Sequence, residues 1–276
     1  MHESILVYRS FRYLKWASLL CLAAIIAYAV QQPLGGVPNG GTWLGYTLGT
    51  IGALLILWLM WLGIRKRRYG PGTGMLEDWL SAHVYLGLAL IIVATLHTGF
   101  QFGLNLHMLA YVLMIIVILS GMFGVYAYVR YPVLMTENRR GESLAQIMIN
   151  IAELDAECRR TAMPLGDEIN ALVLAAGNSQ IGGGFFRQLS GRDPACPTAA
   201  ALRRLSSMAP GGDEDGGQAL RNLVALLTRK DELLQRARRD VRFKALMDVW
   251  LYVHVPLSFA LLAALAGHVF SVFFYW

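Results

Sequence analysis

Hydrophobic residues fall into five long runs, which short polar segments and one long polar segment separate. The runs cover residues 16–31, 43–64, 79–100, 108–129 and 249–274. Each is close to or above the length of about 17–25 residues that an α-helix needs to cross the hydrocarbon of a bilayer. The pattern therefore predicts an all-α membrane protein with five transmembrane helices.

The polar and apolar segments also predict three regions. Residues 1–130 hold transmembrane helices one to four, residues 131–243 form a cytoplasmic insert, and residues 244–276 hold the fifth helix. Inside the insert, apolar residues at helical spacing predict helices over 142–161 and 218–244. We therefore expect a small, mostly helical domain between the fourth and fifth spans.

The middle of the insert is richer in glycine and proline. The run from Pro210 to Gly217 predicts an exposed, flexible loop. Gly182, Gly183 and Gly184 are not followed by the Lys-Ser/Thr pair of a phosphate-binding loop, which excludes that motif here.

Basic residues outside the insert predict the orientation of the spans. All nine fall on one side of a five-span arrangement, and the opposite loops near 32–42 and 101–107 carry no charged residue. The positive-inside rule makes that side cytoplasmic, with the C-terminus on the periplasmic side of a bacterial-type inner membrane. We expect the first run to be retained as an anchor, although its basic leader resembles that of a signal peptide. The nine residues are Arg9, Arg12, Lys15, Arg65, Lys66, Arg67, Arg68, Arg130 and Lys244.

The net charge of +6 adds little beyond this topology. The insert carries fifteen basic and fourteen acidic residues, so it is almost balanced. We therefore expect lipid as a partner and no nucleic acid. The composition, 56% hydrophobic and 15% charged, agrees with a membrane protein.

Two apolar segments, 171 residues apart, share a histidine pattern. Trp79-Leu80-x-x-His83 leads to His97, and Trp250-Leu251-x-x-His254 leads to His268, with fourteen residues between the histidines of each segment. At about 100° and 1.5 Å per residue, fourteen residues return to nearly the same helix face about 21 Å further along. Each segment therefore predicts one helix with two histidines on one face.

Orientation predicts which histidines face each other. Spans three and five both run outward, so we expect His83 to pair with His254 near the cytoplasmic face and His97 with His268 near the outer face. Two imidazoles on one iron give a six-coordinate haem suited to electron transfer. A purely structural role is less favoured, because ionisable residues are costly in hydrocarbon. A transition-metal transporter is also less favoured, because neither span has a carboxylate between its histidines.

On these two His-x13-His pairs the chain resembles the diheme b-type cytochromes of energy-transducing membranes. The spacing is similar to that of cytochrome b, and the placement on spans three and five is similar to that of the ferric-reductase-like transmembrane family. The resemblance implies two non-covalent haem b groups, held in a four-helix bundle by His83, His97, His254 and His268. It also implies transmembrane electron transfer as one subunit of a redox complex, with a periplasmic c-type cytochrome as partner. On the inner side it implies a quinone pool, or an iron–sulfur or flavin protein.

The sequence is also compatible with other functions. We find no flavin or nicotinamide domain after the last span and no Pro-Glu-Trp-Tyr quinol motif. Whether the chain acts as an enzyme, for example as part of a quinol-linked oxidoreductase, is therefore undecided. His107, with Gln101 and Asn105, is a candidate quinone site, although capping of the fourth span explains these residues more simply. A haem-free membrane anchor and a ferric-reductase-like metal reductase are the alternative functions.

Small and aromatic residues refine the picture of the spans. Gly45, Gly49 and Gly52 form a stripe that suits either close approach of a porphyrin or tight helix packing. Pro256 predicts a kink just after His254. Five aromatic residues at the C-terminal end predict an interfacial belt, and they are Phe270, Phe273, Phe274, Tyr275 and Trp276. Four more glycines on the spans would support a haem pocket, and they are Gly87, Gly121, Gly124 and Gly267.

Cysteine and arginine residues complete the expectations for the insert. The three cysteines, Cys21, Cys158 and Cys196, lack Cys-x-x-Cys spacing, and those of the insert are expected as free thiols. The arginine-rich end of helix 218–244 is expected to rest on the anionic inner leaflet. A less favoured role is docking an acidic redox partner or neutralising haem propionates. These arginines are Arg236, Arg238, Arg239 and Arg242.

Overall fold

The part of the chain that the structure describes is mostly helical. A computed structural model describes residues 8–35, 39–67, 76–208 and 214–274. It is 87% helical and has no strand among those residues. The predicted all-α class is confirmed.

Five helices are long and apolar enough to cross a membrane, as predicted. The fourth and fifth extend well beyond their apolar runs, because their polar ends belong to the insert. The fifth continues as a helix on both sides of Pro256. These helices are α1 (Tyr8–Gly35), α2 (Trp43–Arg67), α3 (Leu76–Thr98), α4 (Leu106–Arg139) and α9 (Glu214–Phe274).

Four shorter α-helices lie between α4 and α9. They are α5 (Leu144–Ala162), α6 (Asp167–Gly177), α7 (Phe185–Ser190) and α8 (Pro197–Ser206), with a 3₁₀ turn at Met163–Leu165. The helix predicted over 142–161 corresponds to α5, whose first turn is capped by the Ser143 hydroxyl accepting from the Gln146 amide. The helix predicted over 218–244 is the first part of α9.

The chain divides into two compact units, Met1–Val125 with Trp250–Trp276, and Tyr126–Val249. We call them the span unit and the insert unit. The boundaries predicted at residues 131 and 243 lie inside α4 and α9, where polarity changes but the helix does not end.

Buried side chains hold the span unit together in two clusters. One joins α2, α3, α4 and α9 through Ile56, Leu90, Met114 and Leu261. The other attaches α1 to α2 and α3. Most other side chains of α1 are exposed although apolar, which suits a helix that faces lipid.

The insert unit has its own apolar core, arranged along α9. One cluster surrounds Leu223 and Leu227, and a second surrounds Leu233 and Leu234. Lys230 lies between them and is only 1% exposed. Its ammonium donates to Asp155 at 2.5 Å and to the Ala176 carbonyl at 2.7 Å, which satisfies a charge that would otherwise be costly to bury.

One of the arginines expected at the lipid surface is buried inside this unit. Arg238 is 6% exposed and donates to the Gln180 carbonyl, to Asp193 and to the Cys196 thiol. The expectation is wrong for Arg238, because residues before α7 and α8 pack on α9 and supply acceptors that helical spacing alone does not reveal. Arg236 is partly exposed and pairs with Glu142 at 3.9 Å.

The cysteines of the insert unit are free and buried, as expected. Burial raises the pKa of the Cys158 thiol to about 11. At Cys196 burial also acts to raise the pKa, but hydrogen bonds from the Ala199 backbone and Arg238 outweigh it and lower the pKa.

Some predicted features fall partly outside the residues that the structure describes. Residues 210–213 of the predicted loop lie outside the described residues, whereas residues 214–217 begin α9 and are helical. Of the aromatic belt, Phe270, Phe273 and Phe274 are exposed. Arg68, Tyr275 and Trp276 lie outside the described residues, as do the side chains of Arg9, Arg65, Lys66 and Arg67.

Candidate haem-binding site

His97 and His268 lie against each other in the span unit. Their ring centroids are 6.0 Å apart and the rings are almost perpendicular, at 87°. Two imidazoles on opposite sides of one metal, each with a nitrogen–metal bond of about 2 Å, have centroids roughly 6 Å apart. The separation therefore suits two axial ligands of one iron.

The ring of His97 is held from α2. Its Nδ1 lies 2.7 Å from the Gly45 carbonyl oxygen, which only accepts, so Nδ1 carries the proton and donates. Nε2 then has its lone pair available. A backbone carbonyl on the second nitrogen is the usual support of a metal-binding histidine.

Gly49 makes room for the same ring. A Cβ at this position would lie 2.7 Å from Cε1 and 2.9 Å from Nδ1 of His97. The other glycines of the stripe contact different groups, with Gly52 facing Leu90 and Gly45 facing the backbone of Asn39. Each of these glycines therefore lies close to another group of the chain, and at Gly49 that group is the imidazole of His97.

His268 has a second histidine neighbour, His107 at the start of α4. The two residues are hydrogen-bonded through their Nδ1 atoms, with ring centroids 4.5 Å apart. Asn105 caps α4, because its side-chain oxygen accepts from the Met108 amide at 3.0 Å. The capping interpretation is thus confirmed for Asn105, while His107 contacts a proposed ligand.

His254 is held by a serine of α4. Ser120 donates its hydroxyl proton to the Val117 carbonyl at 2.8 Å, so its oxygen accepts from Nδ1 of His254 at 2.7 Å. The proton of the imidazole is therefore on Nδ1, and Nε2 keeps its lone pair. Gly121 lies beside the ring, where an added Cβ would be 3.5 Å from Cε1.

Trp250 braces the same histidine. Its indole stacks on the His254 ring with centroids 5.4 Å apart, and its Nε1 donates to the Ser120 carbonyl at 2.7 Å. Gly124 permits this packing, because a Cβ there would lie 2.1 Å from the indole. The corresponding residue of the other segment, Trp79, stacks instead on Trp58 of α2.

His83 differs from the other three histidines. It interacts electrostatically with His254 and has a backbone hydrogen bond to Leu59. Its Nδ1 is buried and makes no hydrogen bond within the described part of the chain. Gly87, four residues further along α3, is buried, yet an added Cβ there would meet nothing within 4 Å. A buried nitrogen without a partner needs an explanation, and a bound ligand is one.

The two histidine pairs supply the kind of donor that a haem iron takes. Among the described residues there is no group of three or more His, Cys, Asp or Glu side chains that could hold a metal ion. Two histidines per site are sufficient for haem, because the porphyrin supplies the other ligands of the iron. The donor set and the gap at Gly87 are therefore compatible with the group.

The sequence did not reveal the partners of the ring nitrogens. Ser120 is an ordinary span serine, and the acceptor at Gly45 is a backbone carbonyl that any residue carries. The only available signal was position, since Ser120 directly precedes Gly121 on the predicted fourth span. Gln101, the third member of the candidate quinone site, is exposed.

Comparison of the chain with protein-family models, with curated proteins and with solved structures found no match.

Proposed function

We propose that the chain is a membrane cytochrome b subunit that binds two haems and carries electrons across the membrane. The observation that supports this most is the arrangement of the four span histidines as two pairs. His97 and His268 are in ring contact, and His83 lies within electrostatic range of His254.

The ring nitrogens support the same proposal. His97 and His254 each donate from Nδ1 to an oxygen, at Gly45 and at Ser120, and so present Nε2 as the free donor. Fixing the tautomer in this way orients the ring before a metal binds. The chain thus provides, for each pair, at least one histidine that is already in a ligating form.

Each pair would hold one haem. A b haem with two histidine ligands exchanges single electrons at its iron and needs no open coordination position. The fourteen-residue spacing along α3 and α9 puts the two pairs about 21 Å apart along the helices, a large part of the bilayer thickness.

The finer assignments are part of the proposal. The nine basic residues favour a cytoplasmic N-terminus and a periplasmic C-terminus in a bacterial-type inner membrane. His83 and His254 then lie on the cytoplasmic side, with a quinone pool or a cytoplasmic redox protein as electron exchange partner. His97 and His268 lie on the periplasmic side, where the resemblance to diheme cytochromes favours a c-type cytochrome.

Electron transfer across vesicles tests the proposal. The haem-loaded chain is reconstituted into liposomes that contain ferricyanide, and dithionite is added outside. We expect trapped ferricyanide to be reduced much faster than in protein-free liposomes, and we expect His97→Ala to abolish the difference. Equal rates with and without the wild-type protein would contradict the proposal.

The alternative functions give different results. A haem-free anchor would be purified without a b-type absorption band. A ferric-reductase-like enzyme would reduce ferric chelates on the outer side in addition to transferring electrons. Addition of a quinol to the oxidised protein, with haem reduction as readout, separates a quinol-linked oxidoreductase from a passive carrier.

A further inference from the structure

Two phenylalanines of the insert unit are exposed side by side. Phe185 and Phe186 begin α7 and are 56% and 83% exposed, with their rings 5.5 Å apart. They follow three glycines, so no bulky neighbour precedes them on the chain. Adjacent large apolar side chains on a surface mark an interaction site.

Two arginines follow this aromatic pair along the chain. Arg187 follows directly, is 41% exposed at its side chain and lies 3.6 Å from the buried Asp193. Arg192, just after the helix, is exposed. We call Phe185, Phe186, Arg187 and Arg192 the α7 surface. Its combination of apolar and cationic groups is complementary to a lipid interface with anionic headgroups.

Contacts inside the insert unit place the α7 surface near one end of that unit. Gly191 ends α7 in the left-handed region, at φ 64°, and packs against Arg242 of α9. An added Cβ there would lie 2.9 Å from Cδ of Arg242. Arg242 precedes Val249, the last residue of the unit, by seven residues, or about 10 Å along a helix.

The other chain connection leaves the unit at the same end. Tyr131 lies close to the first residue of the unit, Tyr126, with ring centroids 6.0 Å apart. It also contacts Phe243, the neighbour of Arg242, with centroids 5.3 Å apart. Both connections to the spans therefore leave the insert unit from the end near the α7 surface.

We propose that the α7 surface binds the membrane that the spans cross. Phe185 and Phe186 enter the boundary between headgroups and acyl chains, and Arg187 and Arg192 contact lipid phosphates. Arg238, one of the arginines first expected to contact lipid, is buried among Gln180, Asp193 and Cys196, so that arginine is not part of the contact. The lipid contact requires no haem and is independent of the proposed function.

Another exposed apolar residue of the insert unit offers a matched control. Met163 is 72% exposed and follows Ala162 of the core cluster around Leu223. Leu223 precedes Arg242 by nineteen residues, about 28 Å along α9. Met163 is therefore far from the end of the insert unit that carries the α7 surface, although it is as exposed and apolar as the phenylalanines.

Lipid quenching tests the assignment on the full chain. Phe186→Cys and Met163→Cys are each labelled with an environment-sensitive fluorophore, with the wild-type chain as background for its own cysteines. The proteins are placed in nanodiscs of phosphatidylcholine with about 30% phosphatidylglycerol, with or without doxyl-labelled lipid. We expect at least twofold stronger quenching by doxyl lipid at position 186 than at position 163, and weaker quenching by iodide. Both sites are exposed, so helical circular dichroism should be unchanged.

Two results would overturn the proposal. Equal iodide quenching at both positions, without doxyl quenching at position 186, would show that the surface stays in water and is free for a protein partner. Equal doxyl quenching at position 186 in nanodiscs with and without phosphatidylglycerol would contradict the anionic contact. Arg187→Glu with Arg192→Glu should halve the doxyl quenching at least, but only in the discs that contain phosphatidylglycerol.

Discussion

The two histidine pairs share a sequence pattern but differ in how completely the protein supports them. His97 and His268 are in ring contact, and both have a partner at Nδ1. In the other pair His254 is held by Ser120 and Trp250, whereas Nδ1 of His83 has no partner among the described residues. One site is thus arranged in advance, and the other is complete only on one side.

A repeated motif thus sets the spacing of the histidines along each helix but not the residues that contact their rings. Trp250 stacks on its own histidine, but Trp79, its counterpart, stacks on Trp58. Apart from Trp250, the groups that contact the rings come from α2 and α4, which the repeat does not include. We therefore expect the two sites to bind haem with different affinity, the His97–His268 site more tightly.

Removal of one ligand has the largest expected effect. His97→Ala should reduce the haem content from two per chain to one, and His83→Ala should do the same at the other site. The pyridine haemochrome assay measures the count, and the two variants should retain haems with different reduction potentials. Loss of both haems from a folded His97→Ala protein would break the comparison, because the sites would then not be independent.

A methyl group at Gly49 should disturb only the His97–His268 site. In Gly49→Ala the new Cβ would lie 2.7 Å from the His97 ring, so the ring must leave its hydrogen bond to Gly45. We expect most of the haem at this site to be lost. Gly63→Ala is the control on the same helix, because its Cβ would meet nothing within 4 Å and alanine favours helix. Equal haem loss in both variants would contradict this reading of Gly49.

Loss of the serine acceptor should weaken the other site. In Ser120→Ala, His254 has no oxygen partner at Nδ1, and such losses typically lower metal affinity about 10–100-fold. Haem titration of the apoprotein, followed by absorbance, measures the change. The matched control is Ser258→Ala, because that hydroxyl binds the His254 backbone and not its ring. The same affinity in Ser120→Ala as in the control would show that Ser120 does not support a ligand.

Trp250→Phe should give the smallest change. Phenylalanine keeps an aromatic ring against His254 but loses the hydrogen bond to the Ser120 carbonyl, worth about 0.5–1.5 kcal/mol. Two haems should remain, with a slightly lower midpoint of thermal unfolding. Trp79→Phe, whose partner is Trp58, should leave the Ser120 side unaffected. Loss of a haem in Trp250→Phe would mean that the indole does more than brace the ring.

Much of the fold could be predicted because hydrophobicity is a property of the chain itself. The five spans and the helix at 142–161 follow from apolar runs and helical spacing. The sequence does not show whether the segment before residue 244 and the fifth span form one helix or two helices joined by a loop. Polarity changes at residue 244, but no helix-breaking residue lies there, and the structure has one continuous helix, α9. Which residues pair by charge was also hidden, and Arg238 and Lys230 are buried only because a distant loop and helix supply their acceptors.

For the site, the sequence predicts spacing and direction, and therefore which histidines face each other. It does not predict Ser120 or the Gly45 carbonyl, because an acceptor across a helix interface depends on rotation of the neighbouring helix. The same holds for His107, which sequence analysis assigned to a cap or a quinone and which contacts His268. The contact between Gly49 and His97 was hidden as well, because a stripe of glycines does not reveal which group packs against it.

The number of haems bound per chain tests the central claim most directly. The protein is purified in detergent, its concentration is determined by amino-acid analysis, and haem is quantified as the pyridine haemochrome. If each histidine pair binds one haem, the protein contains two haem b per chain and shows a b-type α-band on reduction. A folded protein that contains no haem, and takes up none on titration, would contradict it.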